Sequence, residues 1–294
     1  PWASALQALA DNCLRHPAAP PCDRCAREEL AWIAFTGEDY LPGYRACADC
    51  PTTVLLLIEA FPGSGKTDSV CEWLEWLIGR ETLFGRVPQV GYICYSDPVA
   101  ARRSVAIRDA IDFIEDYKIV FPTALRQRNK AWTDHEWFIA REDQGKKDPT
   151  FLAAGFDGSY QAYRFPTALV IDDPHNPKMV KDAGQRNETW RLWRTAARTR
   201  ATQGVTPIVV IANRFAEDDL PGRLRKAEKN WFIINTPAMK DGETVWPPDT
   251  APDGTPCGIS NKALEDLQTD RSSFLTQYMV QPPSEEGDIF KHFL

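Results

Sequence analysis

The apolar positions of the chain fall into short blocks, and each block stops at residues that suit a turn. Residues 54–58 are apolar throughout, with a β-branched residue at each end, which predicts a strand buried on both faces. Residues 90–95, 168–171, 207–212 and 231–235 repeat that character, and residues 135–141 and 150–154 read as two further strands. Between them the period changes. Val70, Trp73, Leu74 and Leu77 recur at helical spacing after Thr67, so a helix follows the first strand. Ser96 or Asp97 can cap a helix over 99–117 with Pro98 in its first turn, and residues 182–201 predict a strongly polar helix. Helices are also expected over 217–229, with Pro221 in the first turn, and over 261–281. Residues 240–258 are rich in Pro, Gly and Asp and read as loop, and 282–288 as linker.

The first strand and helix are joined by Phe61-Pro-Gly-Ser-Gly-Lys-Thr67. In a strand-turn-helix setting this is the pattern of a phosphate-binding loop. Gly63 and Gly65 let the backbone curl so that its N–H groups, Ser64 among them, face phosphate oxygens, and the helix beginning near Lys66 adds its positive end. Lys66 would reach the β- and γ-phosphates, and the Thr67 hydroxyl would ligate Mg²⁺. The usual pattern opens on Gly; Ala60 stands there instead. A second block strengthens the reading. Residues 168–171 run directly into Asp172-Asp173-Pro174, an apolar strand delivering carboxylates at its carboxyl end, where Asp172 would hold Mg²⁺, through water.

Composition narrows the partners. The chain has 294 residues, 43% hydrophobic and 26% charged, enough for one large α/β domain with additions or two modest domains. A net charge of −7 denies it the overall basic footprint of many nucleic-acid binders, so contact with DNA requires a local basic face. The predicted helix 182–201 offers one: Arg191, Arg194 and Arg198 fall at three- and four-residue spacing, although pairing with Asp182 and Glu188 would make the same stripe a solvated face. No apolar run is long enough to span a membrane, and no signal-peptide pattern opens the chain, which begins without Met.

Eight cysteines are many for a cytosolic ATPase. Cys22-Asp-Arg-Cys25 and Cys47-Ala-Asp-Cys50 are two C-x2-C pairs suited to a tetrahedral structural zinc, with Cys13 and His16 a third pair upstream. Disulfides or free thiols are the alternatives. Residues 1–21 suggest a short helix and then a Pro-rich break, and residues 26–35 another helix between the knuckles. The N-terminal region, 1–52, reads as a cysteine-rich, zinc-stapled cap on a nucleotide-binding core over 53–240, followed by a linker-like segment over 241–294.

Taken in order from about Thr53, these segments resemble the large terminase subunit, the DNA-packaging motor ATPase of tailed bacteriophages. The likeness is carried by residues 61–67, 92–109, 151–157, 168–174, 190–200, 211–224, 231–238, 274–282 and 287–290. It implies a P-loop NTPase of the additional-strand type, a central mostly parallel sheet flanked by helices, with a small lid subdomain within 241–294. It implies ATP hydrolysis with Mg²⁺ that drives double-stranded DNA into a procapsid in the host cytoplasm. The partners implied are the portal protein, the small terminase subunit and further copies of the chain in a ring. Asp173 stands where related ATPases place a water-orienting Glu, one methylene longer. Asn213 occupies the coupling position, where a hydroxyl residue is common. Arg164, shortly before Asp172, is the first candidate for an arginine acting in trans, with Arg102, Arg103 and Arg214 left open. Residues 287–294 resemble the junction before the family's nuclease, so cutting activity is not expected here. The alternatives are a helicase-like or remodelling ATPase, and a zinc-knuckle nucleic-acid-binding module with a nucleotide switch.

Overall fold

The computed structural model describes residues 2–11, 14, 52–142, 145, 147–250 and 254–282. The expectations for Cys22, Cys25, Cys47 and Cys50, for Cys13 and His16, for a helix over 26–35 and for residues 287–294 lie outside the described residues.

The chain folds as an α/β structure with a mostly parallel central sheet flanked by helices. The predicted strands appear as β1 (Leu55–Ala60), β2 (Val90–Cys94), β4 (Phe151–Gly155), β5 (Ala168–Asp172), β6 (Ile208–Ala212) and β7 (Phe232–Thr236), whereas the strand expected over 135–141 is reduced to the two-residue β3 (Glu136–Trp137), with Ile139 only in an isolated bridge to Arg126. Among the described residues they form one sheet in the order β3-β4-β2-β5-β6-β1-β7. Only β3 runs antiparallel to its neighbour, so the carboxyl ends of the other six strands meet at one edge of the sheet. Strand β6 lies between β1 and β5.

Period-2 alternation decides which face each side chain joins. Leu56 and Ile58 of β1, Val170 of β5, and Val209 and Ile211 of β6 pack on one side. There they meet α1 (Trp2–Ala10), α2 (Lys66–Leu83) and α3 (Asp97–Phe113) through Leu6, Leu9, Val70, Leu74 and Ile107. Leu57, Leu169, Ile171 and Val210 point the other way, onto Trp193, Ala197, Leu220, Leu224 and Trp231. Strands covered on both faces need apolar residues at every position, and this is why their sequence is continuous rather than alternating.

The helices are shorter than their patterns imply. The helix expected over 99–117 ends at Phe113; Ile114 turns to ψ 115° and a separate α4 (Glu115–Val120) follows, with the Tyr117 hydroxyl donating to the Glu75 carbonyl at 2.9 Å. The stretch 182–201 is not one α-helix. Asp182 caps α5 (Ala183–Leu192), accepting from the Gly184 N–H at 2.7 Å; the pitch then widens over Trp193–Ala197 and tightens over Arg198–Arg200. Buried Trp193 explains the change. Its Nε1 donates to Glu228, which also accepts from Arg198 at 2.5 Å and from Trp231 Nε1 at 2.9 Å, and the wider turn brings these donors to one carboxylate. The helix expected from 217 begins at Leu220 as α6 (Leu220–Ala227), capped by Asp219, with Pro221 in its first turn. Residues 261–281 give α7 (Asn261–Leu267), then a turn at Arg271–Ser273 capped by Asp270 and a wide turn at Phe274–Tyr278. The 240–258 stretch contributes two short pairs, β8 (Met239–Lys240) with β9 (Glu243–Thr244) and β10 (Asp249–Thr250) with β11 (Pro256–Cys257). This C-terminal segment has its own small core, Ala238, Leu264 and Phe274 with Trp246 and Tyr278, closed against Phe61.

Candidate functional site

The site forms where the carboxyl ends of β1, β6 and β5 lie side by side. The chain leaves β1 at Ala60 and turns through 61–65 into α2. Gly63 and Gly65 take φ of 79° and 75°, a left-handed conformation that favours glycine, and Gly65 is the residue on which α2 begins. A Cβ at Gly63 would meet nothing within 4 Å, so the turn is open on that side. Ser64 is buried, and its Oγ has no hydrogen-bond partner among the described residues. An orphaned buried hydroxyl in a glycine turn at a helix N-terminus suits an incoming oxyanion.

Lys66 and Thr67, the first residues of α2, reach toward the neighbouring strand ends. Lys66 is 6% exposed and its Nζ donates to Asn213 Oδ1 at 2.9 Å, while the Thr67 hydroxyl donates to Asp172 Oδ1 at 3.2 Å. Asp172, the last residue of β5, is buried, and Tyr92 of β2 donates its phenol to the second oxygen, Oδ2, at 2.7 Å. The Cys94 thiol lies 3.9 Å from the same oxygen. Burial, then the charge of Asp173, raises the Asp172 carboxyl above its ordinary range, while the Tyr92 hydrogen bond, Lys66 and Arg103 pull it back. The same burial and the nearby Asp172 charge raise the Tyr92 phenol well above its ordinary value and push the Cys71 thiol up to about 12, so both keep their protons.

Asp173 stands in an uncommon backbone conformation, φ 43° on a non-glycine residue. It is held there from β6: Asp173 N–H donates to the Ile211 carbonyl at 2.9 Å, and Asn213 N–H donates to Asp173 Oδ1 at 3.0 Å. Asn213 Nδ2 lies 3.4 and 3.5 Å from the two carboxylate oxygens. Asn213 therefore joins Lys66 on one side to Asp173 on the other. Strain of this kind persists only where surrounding contacts over-determine it, as they do at functional sites.

Lys66, Thr67, Asp172, Asp173 and Asn213 are thus brought together, with Gly63, Ser64 and Gly65 forming one wall. Arg164 is not among them. It is exposed just before β5, at the amino-terminal end of the sheet, where its Nη1 donates to the Thr199 carbonyl at 2.5 Å. Arg214 is not free to act on another chain. Its guanidinium is buried, donating from Nη1 to Glu59 at 3.1 Å and from Nε to Asp219 at 3.0 Å. Arg103 on α3 is half-buried, 3.7 Å from Asp68, and feels the charge of Asp172; Arg102 is exposed. Two of the three stripe residues are paired with acids: Arg191 grips Glu188 through two hydrogen bonds of 2.6 and 2.7 Å and Arg198 pairs with Glu228, while Arg194 is exposed over the Trp190 ring and keeps its charge.

No protein-family model and no curated protein matches the chain. Among solved structures, a chain in the structure of S. cerevisiae Dbp5 bound to Gle1 and IP6 is similar over 78% of this chain at 10% identity, with a TM-score of 0.39. This chain spans about half, 54%, of that chain's length. A likeness that weak carries nothing about function.

Three residues of the site were not read from the sequence. Tyr92 was hidden within an apolar strand, although a lone phenol there needs a partner when buried. Glu59, fully buried at the end of β1, accepts from Arg214, from Arg225 Nε at 3.0 Å and from Asn235 at 3.3 Å, tying β1, β7 and α6 together behind the glycine turn. Its signal was an acid closing an apolar run. His175, two residues after Asp173, is buried and accepts from the Leu220 N–H at 2.7 Å, which anchors α6 to the end of β5. Burial lowers its pKa to about 4.

Proposed function

We propose that this chain is a Mg²⁺-dependent ATPase of the P-loop, additional-strand type, and that it is the motor portion of a large terminase subunit that moves double-stranded DNA. The observation that supports it best is the convergence of Lys66, Thr67, Asp172, Asp173 and Asn213 on three adjacent strand ends. An extra strand between the strand before the phosphate loop and the strand bearing the acidic pair is what the additional-strand arrangement requires, and β6 occupies that place.

Each residue then has a role. Backbone N–H groups of 63–67 and the Lys66 ammonium would bind the β- and γ-phosphates. The Thr67 hydroxyl and the Asp172 carboxylate, 3.2 Å apart and both hard oxygen donors, fit Mg²⁺, which is bound by few protein oxygens together with water and phosphate. When bound, the ion neutralises charge that develops on the phosphates. Asp173, acting through its carboxylate, would orient a water and take its proton. Asn213 holds that carboxylate through its backbone N–H and shares the Lys66 ammonium, so a γ-phosphate that draws Lys66 away alters the support of the base. The C-terminal segment could follow that change as a lid, because Phe61 lies in its core and Trp246 rests on the loop; a Cβ at Gly65 would sit 3.5 Å from the indole.

The test is nucleotide binding and phosphate release by the purified chain. With Mg²⁺-ATP the protein should bind a fluorescent ATP analogue, and Lys66→Ala should abolish binding. Asp173→Asn should keep binding and lower turnover about a hundredfold or more, the usual contribution of a general base. Wild-type protein that binds no nucleotide, or an Asp173→Asn variant with unaltered turnover, would overturn the assignment. Capture by a portal protein in the presence of duplex DNA tests the packaging role separately.

A further inference from the structure

The edge of the sheet beyond β4 carries a close-set group of exposed cations. Many other arginines are matched with carboxylates: Arg86 with Glu81, Arg108 with Asp109 and Asp134, Arg186 and Arg223 with Asp218, Arg191 with Glu188 and Arg198 with Glu228. Arg126, Arg128 and Lys130 are exposed and pair with no carboxylate among the described residues. They sit on a chain excursion built beside β3. Arg126 bridges Ile139, Gln127 N–H donates to the Phe138 carbonyl at 2.9 Å, and Trp132 bridges Trp137; Asn129 turns the chain with φ 63°.

Two of the three cations are ordered by aromatic rings instead of by acids. Arg126 lies over Trp132 at 5.0 Å, and Lys130 over Phe138 at 5.6 Å. A ring face restrains a cation without neutralising its charge. In a chain of net charge −7, three cations on one short turn with no carboxylate partner among the described residues form a local positive surface that attracts a polyanion. Ordering by rings also lowers the side-chain entropy that binding would cost.

We infer that the 126–130 turn is where this chain grips the phosphodiester backbone of a nucleic acid, in place of the stripe at Arg191–Arg198 that the sequence suggested. The choice of a nucleic acid as the polyanion rests on the motor reading above. The grip is on phosphates and carries no base specificity.

Binding of fluorescein-labelled duplex DNA, and of one of its strands, by the full chain without nucleotide tests this by anisotropy across a salt series. Replacing Arg126, Arg128 and Lys130 together with Ala should weaken duplex binding at least tenfold at low salt. It should also make the slope of log K against log salt shallower by about 3, near 0.9 for each phosphate no longer neutralised. Weakening confined to the single strand, about 0.7 for each phosphate, would equally support a phosphodiester grip and assign it to single strands. Arg126→Lys with Arg128→Lys should retain the slope, which separates charge from any local disturbance of the turn. Alanine replacement of Arg191, Arg194 and Arg198 should change binding less than the triple variant at the edge does. An unchanged slope in the Arg126, Arg128 and Lys130 variant overturns the inference and leaves these cations as guards of a sheet edge. So does a wild-type chain that binds neither DNA. ATP turnover without DNA, measured on the same preparations, reads the nucleotide site independently: if it is present while DNA binding is absent, the grip fails and the ATPase stands.

Discussion

Acid should unfold this protein partly through one residue, His175. Its Nε2 accepts the Leu220 N–H at 2.7 Å and so must be unprotonated in the fold. Burial is the main cause of the shift; Arg186 and Arg223 oppose a positive ring, while Asp219 and Asp218 partly favour it, and the pKa falls from 6.5 to about 4. Between those values the unfolded chain binds a proton that the folded chain refuses, so stability rises with pH there. The stability due to neutral His175 is therefore complete above pH 6.5 and is lost as pH falls through 4. A shift of about 2.5 units corresponds to about 3 kcal/mol at full loss, and about 2 kcal/mol is already gone at pH 5. Urea unfolding of wild type and His175→Gln, followed by tryptophan fluorescence from pH 7.5 to 5, isolates this contribution, because the carboxylates titrate alike in both proteins. The Gln amide oxygen can still accept from Leu220 but takes up no proton. Wild type should lose about 2 kcal/mol more than the variant over that range. Parallel stability curves for the two proteins would refute the reasoning.

Tyr92→Phe keeps the ring that stacks on Phe151 and removes only the hydroxyl that donates to Asp172 Oδ2; we expect a folded protein that needs several-fold more Mg²⁺ to bind a fluorescent ATP analogue, with binding in EDTA unchanged, and an identical Mg²⁺ titration would refute the role. Gly222→Ala should be severely destabilising, by about 3 kcal/mol or more, because the new Cβ would lie 1.9 Å from the Glu217 carbonyl in the first turn of α6; calorimetry showing a near-native Tm would contradict the packing. Arg214→Lys should lower the Tm without changing how turnover responds to added protein, since its guanidinium joins Glu59 to Asp219 within one chain. A loss of turnover at unchanged Tm would restore it as a candidate trans arginine.

Much of the scaffold was legible because it rests on local rules. Strands covered on both faces must be continuously apolar, so residues 54–58, 168–171 and 207–212 announced β1, β5 and β6 to within a residue or two. The glycine turn was legible for the same reason: only glycine readily adopts the φ of 79° and 75° found at Gly63 and Gly65. Helix ends were less legible. Ile114 breaks a helix whose pattern continues to Tyr117, and Trp193 widens the turn of another to reach Glu228, a residue 35 positions away. Periodicity records neither.

By itself, the sequence determined that a strand, a glycine turn and a helix would occur in that order, and that Asp172 and Asp173 would end a buried strand. Tertiary structure decided what those residues meet. Placing β6 between β1 and β5 sets Asn213 between Lys66 and Asp173, and pairing β2 with β5 brings Tyr92 onto Asp172. It also separated the arginines, burying Arg214 against Glu59, pairing Arg191 and Arg198, and leaving Arg126 and Arg128 without carboxylates among the described residues. The reason is physical: backbone conformation is chosen within a few residues, whereas the partner of a charge or hydroxyl depends on which distant strand or helix the fold lays beside it.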